Sequence, residues 1–445
     1  MATTTPSPGS RTSQSPSAQP GGVAGVLAEL VGRLDARSPV GRPVNLAFWD
    51  GSTLPATSDE PNPPTLRFTT PDALVRIMRA PGELGLSRAW VSGELEAEEV
   101  NGNLERVLDL TEQWRAAPVE RSDALPAFRA ARRLGLLRRR NPEPPACEAR
   151  MKGRIHTLGR DQEAITHHYD VSNEFYRRML GETMVYSCAY FASPQDTLDQ
   201  AQARKLDLIC RKLELGEGDR LLDIGCGWGS LMIYAAHNYG VRAVGVTLSE
   251  AQAELARERI REAGVQDRCE VRIQDYREIG DGPYDKVASV GMFEHVGEEN
   301  LRLYFEKVLE LLEPDGLFLN HGIVRTAPQP MDPNSFTIRY VFPDGFLHTI
   351  GAVISEMETA GFEILDDESL RPHYAETLRR WAINHDKDIP AAVAEIGPER
   401  ERVWRLHNYG AALGFEKGRL SVHQVLARPL STLAPPPLRV RSYPV

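Results

Sequence analysis

Residues 219–229 read DRLLDIGCGWG, and this stretch decides the fold. Leu221, Leu222 and Ile224 make a short apolar run of the kind that forms a buried strand. Gly225, Gly227 and Gly229 then let the backbone turn tightly and come close to a ligand, before SLMIYAAHNYG (230–240) opens a helix. The alternation continues outward. VRAVGVTLS (241–249), CEVRIQD (269–275), YDKVASVG (284–291) and GLFLNHG (316–322) are further apolar strands, with EAQAELARERIREAG (250–264) as a helix between two of them. The order predicts an α/β fold with a doubly wound sheet, whose ligands sit at the carboxyl ends of the strands.

A bare G-x-G-x-G loop does not name its ligand. Asp223 narrows it: the D-x-G-x-G-x-G form suits the methionine end of S-adenosylmethionine (SAM), whose amino group needs an acceptor. A nicotinamide site would place a pyrophosphate on the helix N-terminus and an acid at the end of the second strand. Here that strand ends in Thr247-Leu248-Ser249, with no carboxylate, so SAM is favoured. The loop residues Asp223, Gly225, Cys226, Gly227 and Gly229 are therefore expected around the cofactor. Ser249 and Gln252 also read as a capping box. Gln274, Asp275 and Tyr276 follow the third strand, where such folds hold an adenine, although Tyr276 suits a core position equally well.

The whole chain bounds the remaining possibilities. Its 445 residues suit two domains rather than one. The 62 acids against 52 bases give −10, which disfavours a nucleic-acid partner. No apolar run approaches the ~18 residues of a membrane span. The N-terminal MATTTPSPGSRTSQSPSAQP lacks the apolar segment of a signal peptide, and with residues 1–22 as a whole it reads as a disordered tail. Five cysteines without a C-x-x-C pair suit reduced thiols in a cytosol, and no structural zinc. Residues 23–120 read as a small α+β accessory domain, with an amphipathic helix at GVAGVLAELVGRLDA and a strand and turn at RPVNLAFWDGS. Residues 431–445 read as an extended tail. The stretch 121–160 breaks the acidic average: it holds eleven Arg/Lys and three Asp/Glu, a local +8, leaving 41 bases against 59 acids elsewhere. Arginines interleaved with Phe128, Leu134, Leu136 and Leu137 suit either an anionic membrane surface or a solvated linker.

Three runs are harder to explain as packing. HHYDVSN (167–173) precedes YSCAYF (186–191); GMFEHVG (291–297) follows the fourth strand; RPHYAETL (371–378) comes late. Together with LLDIGCGWG and VTLSEAQ, they resemble the cyclopropane-fatty-acid synthase family, which includes the mycolic acid cyclopropane synthases. The resemblance covers about residues 160–430. It implies a Rossmann-like class I SAM methyltransferase domain at 161–430, with a largely helical cover, built from 325–420, over a hydrophobic acyl tunnel. It also implies cofactor contacts from Tyr169, Tyr186, Ser187, Gly225, Thr247, Leu248 and Gln252. A bound bicarbonate is implied as the base, held by Cys188, Glu294, His321, the backbone of Ile323, and Tyr374. Glu294 would orient that ion rather than take the substrate proton itself. Plainer readings stand beside these: Cys188 as core, Glu294 as a helix-start acid, His295 as a supporting residue. His167 and His168 have no partners at metal-ligand spacing, so no metal is assigned. A catalytic cysteine known near a late Tyr/Phe pair in some relatives has no counterpart in YGAALGF (409–415).

The implied chemistry adds a methyl to an alkene and leaves a carbocation, which needs an apolar, closed site. Loss of a proton from the new methyl closes a cyclopropane; a hydride shift first gives an exocyclic methylene, which a separate reductase would saturate. APGELGLSRAWVSG (80–93), with NHGI, RYVFPDG and VAEIG, looks similar to the actinobacterial branch linked to 10-methylstearate. That favours methylenation at C10 of an oleoyl chain in a phospholipid over a cyclopropane. The resemblance then implies an enzyme at the inner face of the cell membrane. Lipid contact and homo-oligomerisation both remain open for the N-terminal module. A small-molecule O- or N-methyltransferase and a non-catalytic lipid-binding protein are the alternatives of other classes.

Overall fold

The computed structural model describes residues 21–98, 104–115, 119–150, 159–160, 171–328 and 332–430. The chain divides into two compact units, one of residues 1–76 and 94–142, the other of 77–93 and 143–445. Residues 77–93, inside the stretch read as an accessory domain, thus group with the second unit.

The first unit is built on a four-stranded sheet of order β2-β1-β3-β4, with β1 Asn45–Ala47, β2 Thr53–Leu54, β3 Thr65–Phe68 and β4 Leu95–Glu98. The Asp50-Gly51 turn has a second task. Asp50 Oδ2 accepts the Val23 N–H at 2.8 Å and Ser52 Oγ accepts the Ala24 N–H at 2.9 Å, satisfying the open end of the helix Gly22–Asp35. The basic stretch begins as the helix Ala124–Arg133, which buries Pro126, Ala130 and Ala131. Its other face exposes Leu125 and Phe128 beside Arg129, Arg132 and Arg133.

The second unit carries a seven-stranded sheet of order β10-β11-β9-β8-β5-β6-β7. Strands β5 (Arg220–Ile224), β6 (Arg242–Thr247), β7 (Cys269–Ile273), β8 (Tyr284–Val290) and β9 (Leu312–Arg325) run parallel. Four of the five residues of β5 are buried, as a central strand covered on both faces requires. β11 (Leu420–Pro429) pairs antiparallel with β9, and β10 (Phe362–Ser369) antiparallel with β11. The stretch read as helical cover therefore also supplies a strand, β10, held by its pairing with β11; its FEILDDES carries acids where a strand signal would alternate apolar and polar residues, so the sequence does not announce it.

The cover itself consists of the helices Asn173–Leu180, Arg371–Asp386, Ile389–Ile396 and Pro398–Glu416. They bury a cluster that includes Phe175, Tyr176, Trp228, Trp381, Trp404 and Phe415. Two of its rings, Tyr176 and Trp228, lie 4.8 Å apart. Such aromatic packing both fills space and excludes water.

Candidate active site

A pocket lies at the carboxyl ends of β5, β6 and β8, where the order of the parallel strands reverses. Its walls include Tyr186, Ser187, Asp223, Gly225, Cys226, Gly227, Thr247, Leu248, Gln252, Gln274, Asp275 and Tyr276. Those twelve come from four separate stretches and are brought together as the sequence suggests. Gly229 is not on the wall: it caps the helix Ser230–Tyr239 with φ 78°, and a Cβ there would approach Ala256 Cβ at 3.3 Å. Tyr169 lies outside the described residues, as do His167 and His168. Among the described residues, no group of three His, Cys, Asp or Glu is placed to hold a metal ion.

Local hydrogen bonds refine several readings. Ser249 Oγ accepts the Gln252 N–H at 3.2 Å, the forward half of a capping box. The return half is absent: Thr247 Oγ1 takes the Ser249 N–H at 3.2 Å and donates to Gln252 Oε1 at 2.8 Å. Thr247 and Gln252 are thus locked to each other at the pocket rim. Asp275 is held by Arg277, whose Nη2 lies 2.7 Å from Oδ2. Tyr276 meets Tyr304 edge-on at 5.2 Å, so it serves the core as well as the wall.

The floor carries opposite charges out of water. Asp223 is 2% exposed, and burial pushes its carboxyl up to about 7 against the pull of Lys205. Lys205 is 1% exposed, and burial draws its ammonium down to about 8. Sequence reading missed Lys205. The signal was present: Gln202 and Lys205 sit on the stripe Ala201, Leu206, Ile209 that the helix Leu198–Lys212 buries, where apolar residues belong.

The five residues expected at the chemistry form a second group, not on the walls of that pocket. Glu294 follows β8 on the short turn Phe293–His295 and is buried. Its Oε1 accepts the Ile323 N–H at 2.7 Å, while Oε2 has no partner and no solvent. Burial pushes this carboxyl up to about 7, with the Ile323 N–H opposing. The Ile323 amide, expected at a bicarbonate, is thus engaged by Glu294. His321, two residues earlier on β9 and on the same face, is 1% exposed. Its Nδ1 meets Gln424 Nε2 of β11 at 3.1 Å, its Nε2 is unpartnered, and burial holds the ring neutral. Cys188 is fully buried, its thiol raised by burial, with Sγ 3.7 Å from the Leu370 carbonyl. The same carbonyl accepts the Tyr374 N–H, and Leu370 N–H donates to Val422, the partner of Ile323 across β9 and β11. Tyr374 stands against Phe415 at 4.6 Å and Trp381 at 6.0 Å. Trp381 lies 5.1 Å from Tyr186, a wall of the first pocket, which joins the two groups.

Gly322 makes this second group possible. A Cβ on it would fall 1.9 Å from Phe293 Cε1, so only glycine lets the Phe293–His295 turn lie flush on β9 with Glu294 in reach of Ile323.

Comparison with known proteins shows the family. Residues 156–425, more than half of the chain, match the mycolic acid cyclopropane synthetase family. A probable fatty acid methyltransferase of Pseudomonas putida is 40% identical over 86% of this chain and 91% of its own. The tuberculostearic acid methyltransferase UfaA1 of Mycobacterium tuberculosis is 33% identical over 91% of this chain and 92% of its own. Among solved structures, the mycolic acid cyclopropane synthase CmaA1 complexed with SAH and CTAB is 33% identical, covering 60% of this chain and 97% of that one with a TM-score of 0.57. The chain belongs to the mycolic acid cyclopropane synthetase family and is a SAM-dependent methyltransferase of fatty acyl chains.

Proposed function

We propose that the protein methylates the cis double bond of an unsaturated acyl chain, of oleoyl type, within a phospholipid, and that the product carries a methylene at C10. When bound, SAM supplies an electrophilic methyl group. Asp223, the glycine loop and the Thr247–Gln252 pair, all on the pocket wall, would hold and orient the cofactor. Tyr374, Trp381 and Phe415 line an apolar surround in which a cationic centre is shielded from water.

The observation that carries this reading is a pair of unpartnered polar atoms, Glu294 Oε2 and His321 Nε2, buried beside that apolar cover. Gln424 donates to His321 Nδ1, which leaves the ring proton on Nε2 as a donor. One acceptor and one donor suit the hydroxyl and the charged oxygen of bicarbonate, which supplies a base when bound. The fit runs through Glu294 and His321, since Glu294 itself takes the Ile323 amide.

Similarity to UfaA1 over nine-tenths of the chain favours methylenation, while the likeness to CmaA1 makes ring closure the competing outcome. The deciding experiment expresses the protein in a host rich in oleoyl phospholipid and reads its fatty acids by mass spectrometry. A gain of CH2 on unsaturated chains is expected, retaining a double bond on derivatisation. An unchanged lipid profile with active protein overturns the acyl reading, and a saturated ring overturns methylenation.

The substrate requires contact with a bilayer, and no helix among the described residues is long and apolar enough to cross one. Of the nine exposed large apolar side chains among those residues, Leu125, Phe128 and Leu137 lie in the basic stretch of the first unit and Val119 just before it. Arginines around exposed apolar groups suit anionic headgroups with shallow insertion.

A further inference from the structure

The run 185–191 carries Cys188 through the site without belonging to a helix or a strand, so its backbone must find partners elsewhere. Two different helices supply them. On the cofactor side, Gln202 Nε2 of the helix Leu198–Lys212 donates to the Ser187 carbonyl at 2.8 Å, and Lys205 Nζ donates to Ser187 Oγ at 2.8 Å. Past Cys188 the partners change to the cover helix Arg371–Asp386. The Ala189 N–H donates to Thr377 Oγ1 at 3.0 Å and the Phe191 N–H to His373 Nδ1 at 3.1 Å, while the Tyr190 ring stacks on His373 at 4.6 Å. Of these three residues, Tyr190 alone returns its N–H to the first helix, at the Ala201 carbonyl. Cys188 therefore sits at the junction of two anchors. His373 and Thr377 are four residues apart, neighbours on one helix face, and Tyr374 belongs to the same turn.

Both side chains are set for this task. Thr377 is fully buried, and its hydroxyl donates to the His373 carbonyl at 2.7 Å, which leaves the oxygen lone pairs to accept the Ala189 N–H. Burial lowers the pKa of His373, which favours the neutral ring with an acceptor at Nδ1 for Phe191.

We propose that Thr377 and His373 are positioning residues for methyl transfer: they hold the Cys188 stretch against the helical turn that carries Tyr374, so that the two groups expected at the chemistry keep a fixed spacing. The proposal rests on the acyl-methylation reading above, in which Cys188 and Tyr374 belong to the reacting site.

Thr377→Val keeps the shape of the side chain and removes the acceptor. In steady-state transfer of labelled methyl from SAM to oleoyl phospholipid vesicles, well below the melting temperature, kcat should fall about tenfold to a hundredfold, as for a misplacement of up to ~1 Å. Calorimetric affinity for SAM should fall much less, because Gln202 and Lys205 still hold the cofactor side of the run. Thr377→Ser, which keeps the hydroxyl, should recover most of the lost kcat. Wild-type kcat in Thr377→Val, equal losses in kcat and SAM affinity, or no recovery by serine overturns the proposal. Wild type that transfers no methyl to the vesicles overturns the acyl reading, and the proposal with it. Should Thr377→Val fail to fold, His373→Phe carries the test. It keeps a ring against Tyr190 and drops the acceptor for Phe191, so kcat should fall severalfold with SAM affinity near wild type; unaltered kcat is the contrary result.

Discussion

Gly322→Ala adds one methyl group and should abolish most turnover, although Gly322 itself is not on the wall of the cofactor pocket. The new Cβ would sit 1.9 Å from Phe293 Cε1 and 2.5 Å from Cδ1, so the ring must retreat by about 1.6 Å to regain an ordinary ~3.5 Å carbon contact. Phe293 is 1% exposed and already packed among Val296, Leu301 and Val425. Overpacking of this kind costs about 1–3 kcal/mol. Glu294 is the next residue on the same turn, and its 2.7 Å bond to the Ile323 N–H cannot survive a displacement of that size. A misplacement of about 1 Å in a positioned group costs roughly a hundredfold in rate. Transfer of labelled methyl from SAM into oleoyl phospholipid vesicles should therefore fall about a hundredfold, with a lower melting temperature and a much smaller loss of calorimetric affinity for SAM, since Met292, His295 and Val296 beside the displaced ring line the cofactor pocket. Full turnover, or equal losses in SAM binding and rate, would refute the link from Gly322 to Glu294.

The remaining expectations follow the same geometry. Glu294→Gln should lose most methyl transfer while SAM titration stays near wild type; unimpaired transfer removes Glu294 from the chemistry. The raised Glu294 carboxyl also sets a sign: between its ordinary value of 4.5 and about 7 the folded state holds a proton that the unfolded state releases, so this group lowers stability as pH rises through that window. Glu294→Gln should therefore melt above wild type at pH 8, with the gap closing near pH 4.5; a gap that grows on acidification contradicts the burial argument. Glu148→Ala should lower the melting temperature, since its buried carboxylate is met by Arg88, Arg339 and the Tyr340 hydroxyl; the two arginines keep partial access to water, so the loss should stay below the about 3–5 kcal/mol of a fully buried pair. Leu125→Ser with Phe128→Ser should reduce sedimentation with anionic vesicles at least tenfold, each buried apolar side chain contributing about 1.5–3 kcal/mol; binding that persists places the membrane contact elsewhere.

What the sequence shows and what it hides divide along one physical line. The parallel strands and the cofactor loop are written in contiguous runs, where apolar periodicity and glycine spacing act over a few residues, and every described loop position but Gly229 reached the pocket wall. The second group depends on pairings across long separations. His321 needs Gln424 to fix its ring, and Ile323 meets Val422 on a strand whose neighbour, β10, carries acids in place of an apolar alternation. No local pattern announces either. Lys205 falls between the two cases: as a lysine on a buried helical stripe it contradicts its own helix, and such a contradiction marks a site when something nearby compensates it. Gly322 is the same lesson in reverse. Within GLFLNHG it reads only as a small residue ending a strand, yet the absence of its side chain is what allows Phe293 to close on β9 and holds the Glu294 carboxylate against a backbone amide. A single missing methyl group thus positions the one acid on which the proposed proton chemistry depends.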